Sequence, residues 1–258
     1  AGCSDPPDAP GRAETGLASW QAQYRGDPRR RGLAPPDAAL DGTLRLVWQT
    51  RALGIGVYTA SKSSPAVDDE RLYVGEDDGR LYALERATGE IDWAFATRRH
   101  EQERVDPPAD GAFTGIHGSP ALDAERVYVG DYAGFAYAVD KRTGGLAWGV
   151  RLGGSIGASP ALDAGSLFFA VEEPTPDGRV VGLRAATGEL EYRSDWLGDH
   201  PHSSVSLRDG ALFVGSNAGA LVRLEPPAPA PAFTVPTAGA IKSTAAVADD
   251  ARGGADPR

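Results

Sequence analysis

A short segment recurs five times along the 258 residues, and this repetition limits the possible folds more than any other feature. Ser64-Pro65-Ala66-Val67-Asp68 returns as Ser119-Pro120-Ala121-Leu122-Asp123 and as Ser159-Pro160-Ala161-Leu162-Asp163. It decays to Ser204-Val205-Ser206-Leu207 and then to Thr244-Ala245-Ala246-Val247. Successive spacings are 55, 40, 45 and 40 residues, the longer first interval holding a polar insertion at about Thr97 to Gly111. Each copy is followed by an apolar run of β type: Leu72-Tyr73-Val74-Gly75, Val127-Tyr128-Val129-Gly130, Leu167-Phe168-Phe169-Ala170 and Leu212-Phe213-Val214-Gly215. Glycine-containing turns come next at Asp77-Asp78-Gly79, Tyr132-Ala133-Gly134 and Asn217-Ala218-Gly219, where a left-handed backbone suits a tight hairpin. Third strands are expected at 80–84, 135–139, 180–183 and 220–224. Then comes Thr-Gly at Thr88-Gly89, Thr143-Gly144 and Thr187-Gly188, and after it an outer strand with an aromatic residue: Trp93, Trp148, Tyr192 and Phe233. Trp48 holds the same place before the first unit.

Four short strands in about 40 residues is the arithmetic of a propeller blade. The predicted fold is therefore all-β, a β-propeller or propeller segment of four-stranded blades. A lone blade exposes its apolar faces, and stacking blades around an axis buries them. The 33 glycines and 20 prolines agree with a turn-rich all-β chain. The aromatic four residues past each Thr-Gly is expected to dock between neighbouring blades, burying roughly 150–250 Å². An acidic side chain three residues before Thr accepts turn amide hydrogens, and Gly takes the positive φ. Residues 1–18 read as a tether, 19–50 as an opening segment and outer strand carrying Trp48, 51–248 as the blades and 249–258 as a polar tail.

Ala83-x-Glu85-x-x-Thr88-Gly89-x-x-x-Trp93 and Ala138-x-Asp140-x-x-Thr143-Gly144-x-x-x-Trp148 resemble the tryptophan-docking motif of PQQ-like (quinoprotein-type) β-propeller repeats. Gly182 to Tyr192 is a weaker copy, with Arg184 at the acidic position, and Val222 to Phe233 is weaker still. Ser19-Trp20-x-x-x-Tyr24-Arg25-Gly26-Asp27-Pro28 is similar to the segment with which the family opens, so the resemblance runs over about 19–248. It implies rings of seven or eight blades, whereas this chain holds about four and a quarter. A longer chain, a partner that completes the ring and a small four-bladed closure all remain open, as an open arc would leave unpaired edges.

The resemblance implies two functional classes. Enzymatic members use a vicinal disulfide beside the quinone, a calcium ion held by Glu and Asn, and a catalytic Asp. The single cysteine, Cys3, cannot form a vicinal pair, and the sole asparagine, Asn217, sits in a hairpin turn. Non-enzymatic members include BamB-type lipoproteins of the outer-membrane β-barrel assembly machine. Ala1-Gly2-Cys3-Ser4 resembles the end of a bacterial lipobox, with Cys3 as the lipidated residue, and the absence of Met reads as a processed or trimmed chain. The expectation is a non-catalytic scaffold without cofactor, in the periplasm or at the cell surface. It is lipid-anchored, with the outer membrane favoured, and its partners are envelope or outer-membrane proteins. The alternative is a propeller binding an anionic small molecule or sugar in its axial funnel. A net charge of −10 argues against nucleic acid, and no apolar run is long enough to cross a membrane as a helix.

Aligning the units gives a further expectation. The residue two before each repeated Ser or Thr is Lys62, His117, Gly157, His202 and Lys242. The start of an innermost strand lies near a propeller axis, so Lys62, His117, His202 and Lys242 are candidates for a ring of basic or titratable groups at one mouth of the funnel, set against wet-channel residues without a ligand. The insertion holds a candidate partner loop with Arg98, Arg99, His100 and Arg104, set against a solvated loop. His200 and His202 supply two candidate metal ligands with Asp195 and Asp199 nearby. Pro201 between them imposes an extended kink, no acidic third ligand stands at a diagnostic spacing, and no metal is expected. Glu172 to Asp177 is read as an acidic, solvated hairpin in preference to a calcium loop.

Overall fold

The computed structural model describes residues 22–32, 45–51, 53, 62–97, 115–174 and 177–248. Among these, four four-stranded antiparallel sheets follow one another, each a simple up-and-down meander. The first contains β1 (Ala66–Val67), β2 (Arg71–Gly75), β3 (Arg80–Glu85) and β4 (Ile91–Ala96). The second contains β5 (Ala121–Leu122), β6 (Arg126–Gly130), β7 (Phe135–Asp140) and β8 (Leu146–Arg151). The third contains β9 (Ala161–Asp163), β10 (Ser166–Glu173), β11 (Asp177–Arg184) and β12 (Leu190–Arg193). The fourth contains β13 (Ser206–Arg208), β14 (Ala211–Ser216), β15 (Ala220–Leu224) and β16 (Pro231–Pro236). Each sheet is one blade, and each begins two residues after a repeated Ser.

Local chemistry sets the hairpins. Asp131 Oδ1 accepts from the amides of Ala133 and Phe135, while its Oδ2 takes the Tyr137 hydroxyl. Gly134 closes that turn at φ +81°. The repeated Asp does the same one hairpin earlier: Asp68 Oδ1 accepts from Glu70 and Arg71, and Tyr73 Oη donates to Oδ2. In all four blades the register between the third and outer strands shifts at one equivalent place, just after Ala83, Ala138, Gly182 or Arg223. A bulge there adds local twist and turns the outer strand toward the next blade.

The core lies between the blades. Val127 and Val129 of β6 pack with Tyr73, Leu81 and Ala83 of the first blade. Tyr128, between them in sequence, packs with Leu167, Phe169 and Val181 of the third. The two-residue period of a strand thus feeds alternate side chains into two successive cores, so the inner strands are buried on both faces.

Three interlocks repeat at the junctions. At the innermost edge, the amides of Ser64, Ser119 and Ser159 donate to the hydroxyls of Ser119, Ser159 and Ser204, each at 2.9 Å, and Ser204 N donates to Thr244 Oγ1 at 3.0 Å. The repeated Ser or Thr is therefore a blade-to-blade tie. Further out, Ile116, Ile156 and Ile241 press on Gly75, Gly130 and Gly215 of the preceding blade, where a β-carbon would meet the Ile side chain at 2.3 Å. At the rim, Trp48, Trp93 and Trp148 lie on Gly89, Gly144 and Gly188 of the next blade. Their indole Nε1 groups donate to the carbonyls of Arg86, Lys141 and Ala185 at 3.0, 2.9 and 2.9 Å. Tyr192 reaches the Ala228 carbonyl in the same way at 3.2 Å. An ion pair adds to the first junction, Lys141 Nζ lying 2.7 Å from Asp68 Oδ2.

Two details differ from expectation. Residues 45–50 form no strand, although Trp48 docks like its counterparts. Phe233 is 43% exposed on β16, whose six residues all face solvent, and its ring meets Arg223 instead of a turn.

Candidate functional site

The interlocked inner strands surround a cavity of about 390 Å³, which Lys62, His117, Gly157, His202 and Lys242 all line. The structure thus brings the five residues of one repeat position to a single wall. Gly157 carries no side chain there because the ring of Tyr132 occupies its place, the nearest ring carbon lying 2.9 Å from where a β-carbon would stand. Tyr132 in turn packs on His117, their centroids 4.3 Å apart.

The described part of the opening segment, residues 22–32, supplies another wall. Tyr24 and Arg25 line the cavity, and Arg25 Nη1 donates to the Thr244 carbonyl. The segment is stitched across the innermost strands. Leu122 N donates to Ala22 O, Leu207 N to Pro28 O and Val247 N to Arg29 O. Gln23 exchanges two hydrogen bonds with the Leu162 backbone. Arg30 holds it most firmly. Its fully buried guanidinium donates to the carbonyls of Tyr24, Pro160 and Val205 at 2.7, 2.7 and 3.1 Å. Burial pulls its pKa down to about 10, against the support of Tyr24 and Asp27, and it stays charged at neutral pH.

The charge on the cavity wall is uneven. Burial and then the neighbouring Lys62 charge hold His117 below the usual imidazole range, although Asp77 Oδ1 approaches its Nε2 to 2.9 Å. His117 is therefore neutral at pH 7, and the positive charge comes from Arg25, Lys62 and Lys242. Glu172 is the acidic residue in the lining. It is buried at the end of β10, contrary to the solvated hairpin expected of that stretch. Its Oε2 lies 3.8 Å from His200 Nδ1 and 3.7 Å from His202 Nε2. The acidic group beside the two histidines is thus Glu172, from strand β10, and not the sequence neighbours Asp195 or Asp199.

Arg25, Arg30 and Glu172 are site residues that sequence reasoning missed. The signal for Arg30 was faint, one arginine in the run Arg29-Arg30-Arg31. Cys3 and the candidate loop residues Arg98, Arg99, His100 and Arg104 lie outside the described residues. The calcium and quinone chemistry implied for enzymatic relatives does not fit the described residues. Asn217 sits in a turn, where its backbone amide donates to His200 O, and it does not line the cavity.

The blades are similar to solved propellers. BamB from Moraxella catarrhalis superposes with a TM-score of 0.61 at 21% identity, covering 76% of this chain and 56% of that one. The quinohemoprotein alcohol dehydrogenase ADHIIG from Pseudomonas putida HK5 superposes with a TM-score of 0.62 at 17% identity, covering 86% and 40%. At these identities the likeness is one of fold. Among curated relatives, outer membrane protein assembly factor BamB of Legionella pneumophila is 27% identical over 62% of this chain and 39% of its own length. The protein of the same name from Nitrosomonas eutropha is 28% identical over 62% and 36%. The chain thus spans well under two thirds of these relatives. A family model described as outer membrane protein assembly factor BamB matches residues 38–110 and 100–228. Those two segments cover most of the chain, which therefore belongs to this PQQ_2 family of BamB-like β-propeller repeat proteins.

Proposed function

We propose that this protein is a non-catalytic propeller scaffold of the bacterial cell envelope that takes part in outer-membrane protein assembly. Membership of the BamB-described family is the observation that carries the reading. Its partners are envelope or outer-membrane proteins, and a lipid on Cys3 holds it at the periplasmic face of the outer membrane. The structure suits such work physically. The recurring interlocks fix the blades, and the loops between strands are displayed on a rigid frame. Preorganised loops lose less entropy on binding a partner.

The test is detergent extraction of envelopes containing the native protein, followed by its affinity isolation. Co-isolation of named outer-membrane assembly components is the expected result, with Cys3→Ser releasing the protein from the membrane fraction. The reading is overturned if no such component is retained, or if the chain reconstituted with PQQ and Ca²⁺ reduces an artificial electron acceptor.

A second reading is favoured by a separate observation, the convergence of Arg25, Lys62 and Lys242 on one cavity in a chain of net charge −10. Such a focus attracts an anionic small molecule or an acidic sugar. A ligand of this kind would raise the midpoint of thermal unfolding. The double variant Lys62→Ala, Lys242→Ala should lose that shift.

A further inference from the structure

The geometry points to a divalent transition-metal site of the zinc(II) class at the cavity mouth, formed by Glu172, His200 and His202. One nitrogen of each histidine and one carboxylate oxygen of Glu172 all lie within 4.8 Å of one another, and Glu172 Oε2 faces His200 Nδ1 and His202 Nε2. Both imidazole–carboxylate separations, 3.7 and 3.8 Å, are too long for hydrogen bonds. They are close to the spacing that a shared ion imposes: two ligands of a tetrahedral zinc at 2.0–2.1 Å stand about 3.3 Å apart. A movement of a few tenths of an ångström, within the reach of a side-chain torsion, closes the difference.

The surroundings position each donor. His200 Nε2 faces the Glu173 carbonyl at 2.9 Å. An N–H there donates to that carbonyl and leaves Nδ1 with its lone pair toward Glu172, the tautomer a metal requires. His200 and His202 flank Pro201, and the bias of a residue before proline to extended backbone favours both rings on one side. The rings lie 6.0 Å apart and within 15° of parallel. Pro201 between them rests on Gly178 of β11, where a β-carbon would meet Pro201 Cδ at 2.2 Å, so the extended kink itself is seated on the third blade. Glu172 is fixed by backbone hydrogen bonds in both directions with Ser155. Two neutral imidazoles and one carboxylate are a borderline-soft donor set that suits zinc better than calcium or magnesium, which prefer oxygen. Glu172 and His202 also line the cavity, so a fourth coordination position can face it.

The experiment uses the full chain without a polyhistidine tag and with Cys3→Ser, which removes the other soft donor. Zn²⁺ is titrated calorimetrically, and Co²⁺ is followed by its visible d–d absorption. The expected result is one Zn²⁺ per chain and the intense visible bands of low-coordinate Co²⁺. Glu172→Gln and His202→Ala should each weaken Zn²⁺ binding by about 10–100-fold or more and abolish the cobalt bands. Asp195→Asn, at a carboxylate five residues before His200 and outside the cluster, should leave both unchanged. Urea midpoints measured without metal show that the variants fold. The proposal is overturned if the parent takes up no stoichiometric Zn²⁺, or if binding survives in both Glu172→Gln and His202→Ala.

Discussion

Exchanging Trp93 and Gly144 singly and together tests the rim interlock. The Trp93 indole packs on Tyr73 at 5.8 Å, donates to the Lys141 carbonyl at 2.9 Å and covers Gly144. Truncating a core Trp costs about 3–5 kcal/mol. Trp93 is only partly buried, so Trp93→Ala should cost about 2–3 kcal/mol including its hydrogen bond. Gly144→Ala carries two costs. Its φ of +69° strains a β-carbon by about 1–2 kcal/mol. The new methyl would also meet the indole Cδ2 at 2.8 Å, an overpacking worth about 1–3 kcal/mol. Only the second cost depends on Trp93. In the Trp93→Ala background, Gly144→Ala should therefore cost about 1–2 kcal/mol, and the double variant should be less destabilised than the sum of the singles by about 1–3 kcal/mol. Urea unfolding followed by far-ultraviolet circular dichroism measures this without relying on the lost fluorophore. Additivity within about 0.5 kcal/mol would mean that the indole does not rest on that turn, and the docking argument would fail for all three tryptophans.

Arg30→Lys leaves at least two carbonyls without their fork-shaped donor and should cost about 3–5 kcal/mol. It should also open the bonds after Arg25 and Arg29 to trypsin, and unchanged proteolysis would refute the bracing role. Ser159→Ala strands the buried amide of Ser119, with a cost of about 1–3 kcal/mol and faster hydrogen exchange at that amide. Ser159→Thr should restore most of the loss, as Thr244 already serves in the same role. Glu76 is pushed up to about 7, by burial first and then by Asp78 and Asp77. Between the ordinary carboxylate range and pH 7 the folded chain thus holds more protons than the unfolded one, so this group's contribution is full in acid and is lost as pH rises through about 7. Glu76→Gln should be more stable than the parent at pH 8 by about 1–2 kcal/mol and should gain nothing at pH 4. A gain at pH 4 that vanishes at pH 8 would reverse the sign and refute the assignment.

What could be read from the sequence follows the range of the interactions. The blade period, the Asp-capped turns and the Thr-Gly glycines are local and periodic, and the strands fall where the apolar runs stand. The docking residues Trp93 and Trp148 were legible because each follows its Thr-Gly at a constant offset. Their receivers were less so, since Lys141 and Ala185 accept through the backbone, which carries no side-chain signature. The Ser column was visible as a repeat, but its purpose was hidden, because each hydroxyl serves an amide 40 to 55 residues away. Arg30 bonds to carbonyls 130 and 175 residues distant, beyond any spacing argument. Glu172 was misread because an acidic run resembles a solvated loop, and only pairing with Ser155 and Gly178 reveals a buried strand end. The lowered basicity of His117 comes from burial and the Lys62 charge, which become visible only once the blades are stacked.

The same interlocks explain where variation is permitted. The residue at the Ser position ties one blade to the next, and at three junctions the Ile three residues earlier, Ile116, Ile156 or Ile241, is held by a glycine across the junction, Pro201 standing there before Ser204. The residue two before the Ser takes part in neither tie and lines the cavity. That column reads Lys, His, Gly, His and Lys, whereas the tying column two residues later reads Ser, Ser, Ser, Ser and Thr. Even its glycine has a local cause, the ring of Tyr132 lying where a side chain would go. A propeller of near-identical blades can acquire specific chemistry only at positions that its interlocks release. Here that column, with Arg25 and Glu172 completing the wall, is where charge and metal-ligating groups collect. Rigidity and recognition thus occupy adjacent residues of one short segment, and a change at Lys62 or His202 should alter binding while leaving the unfolding midpoint nearly untouched.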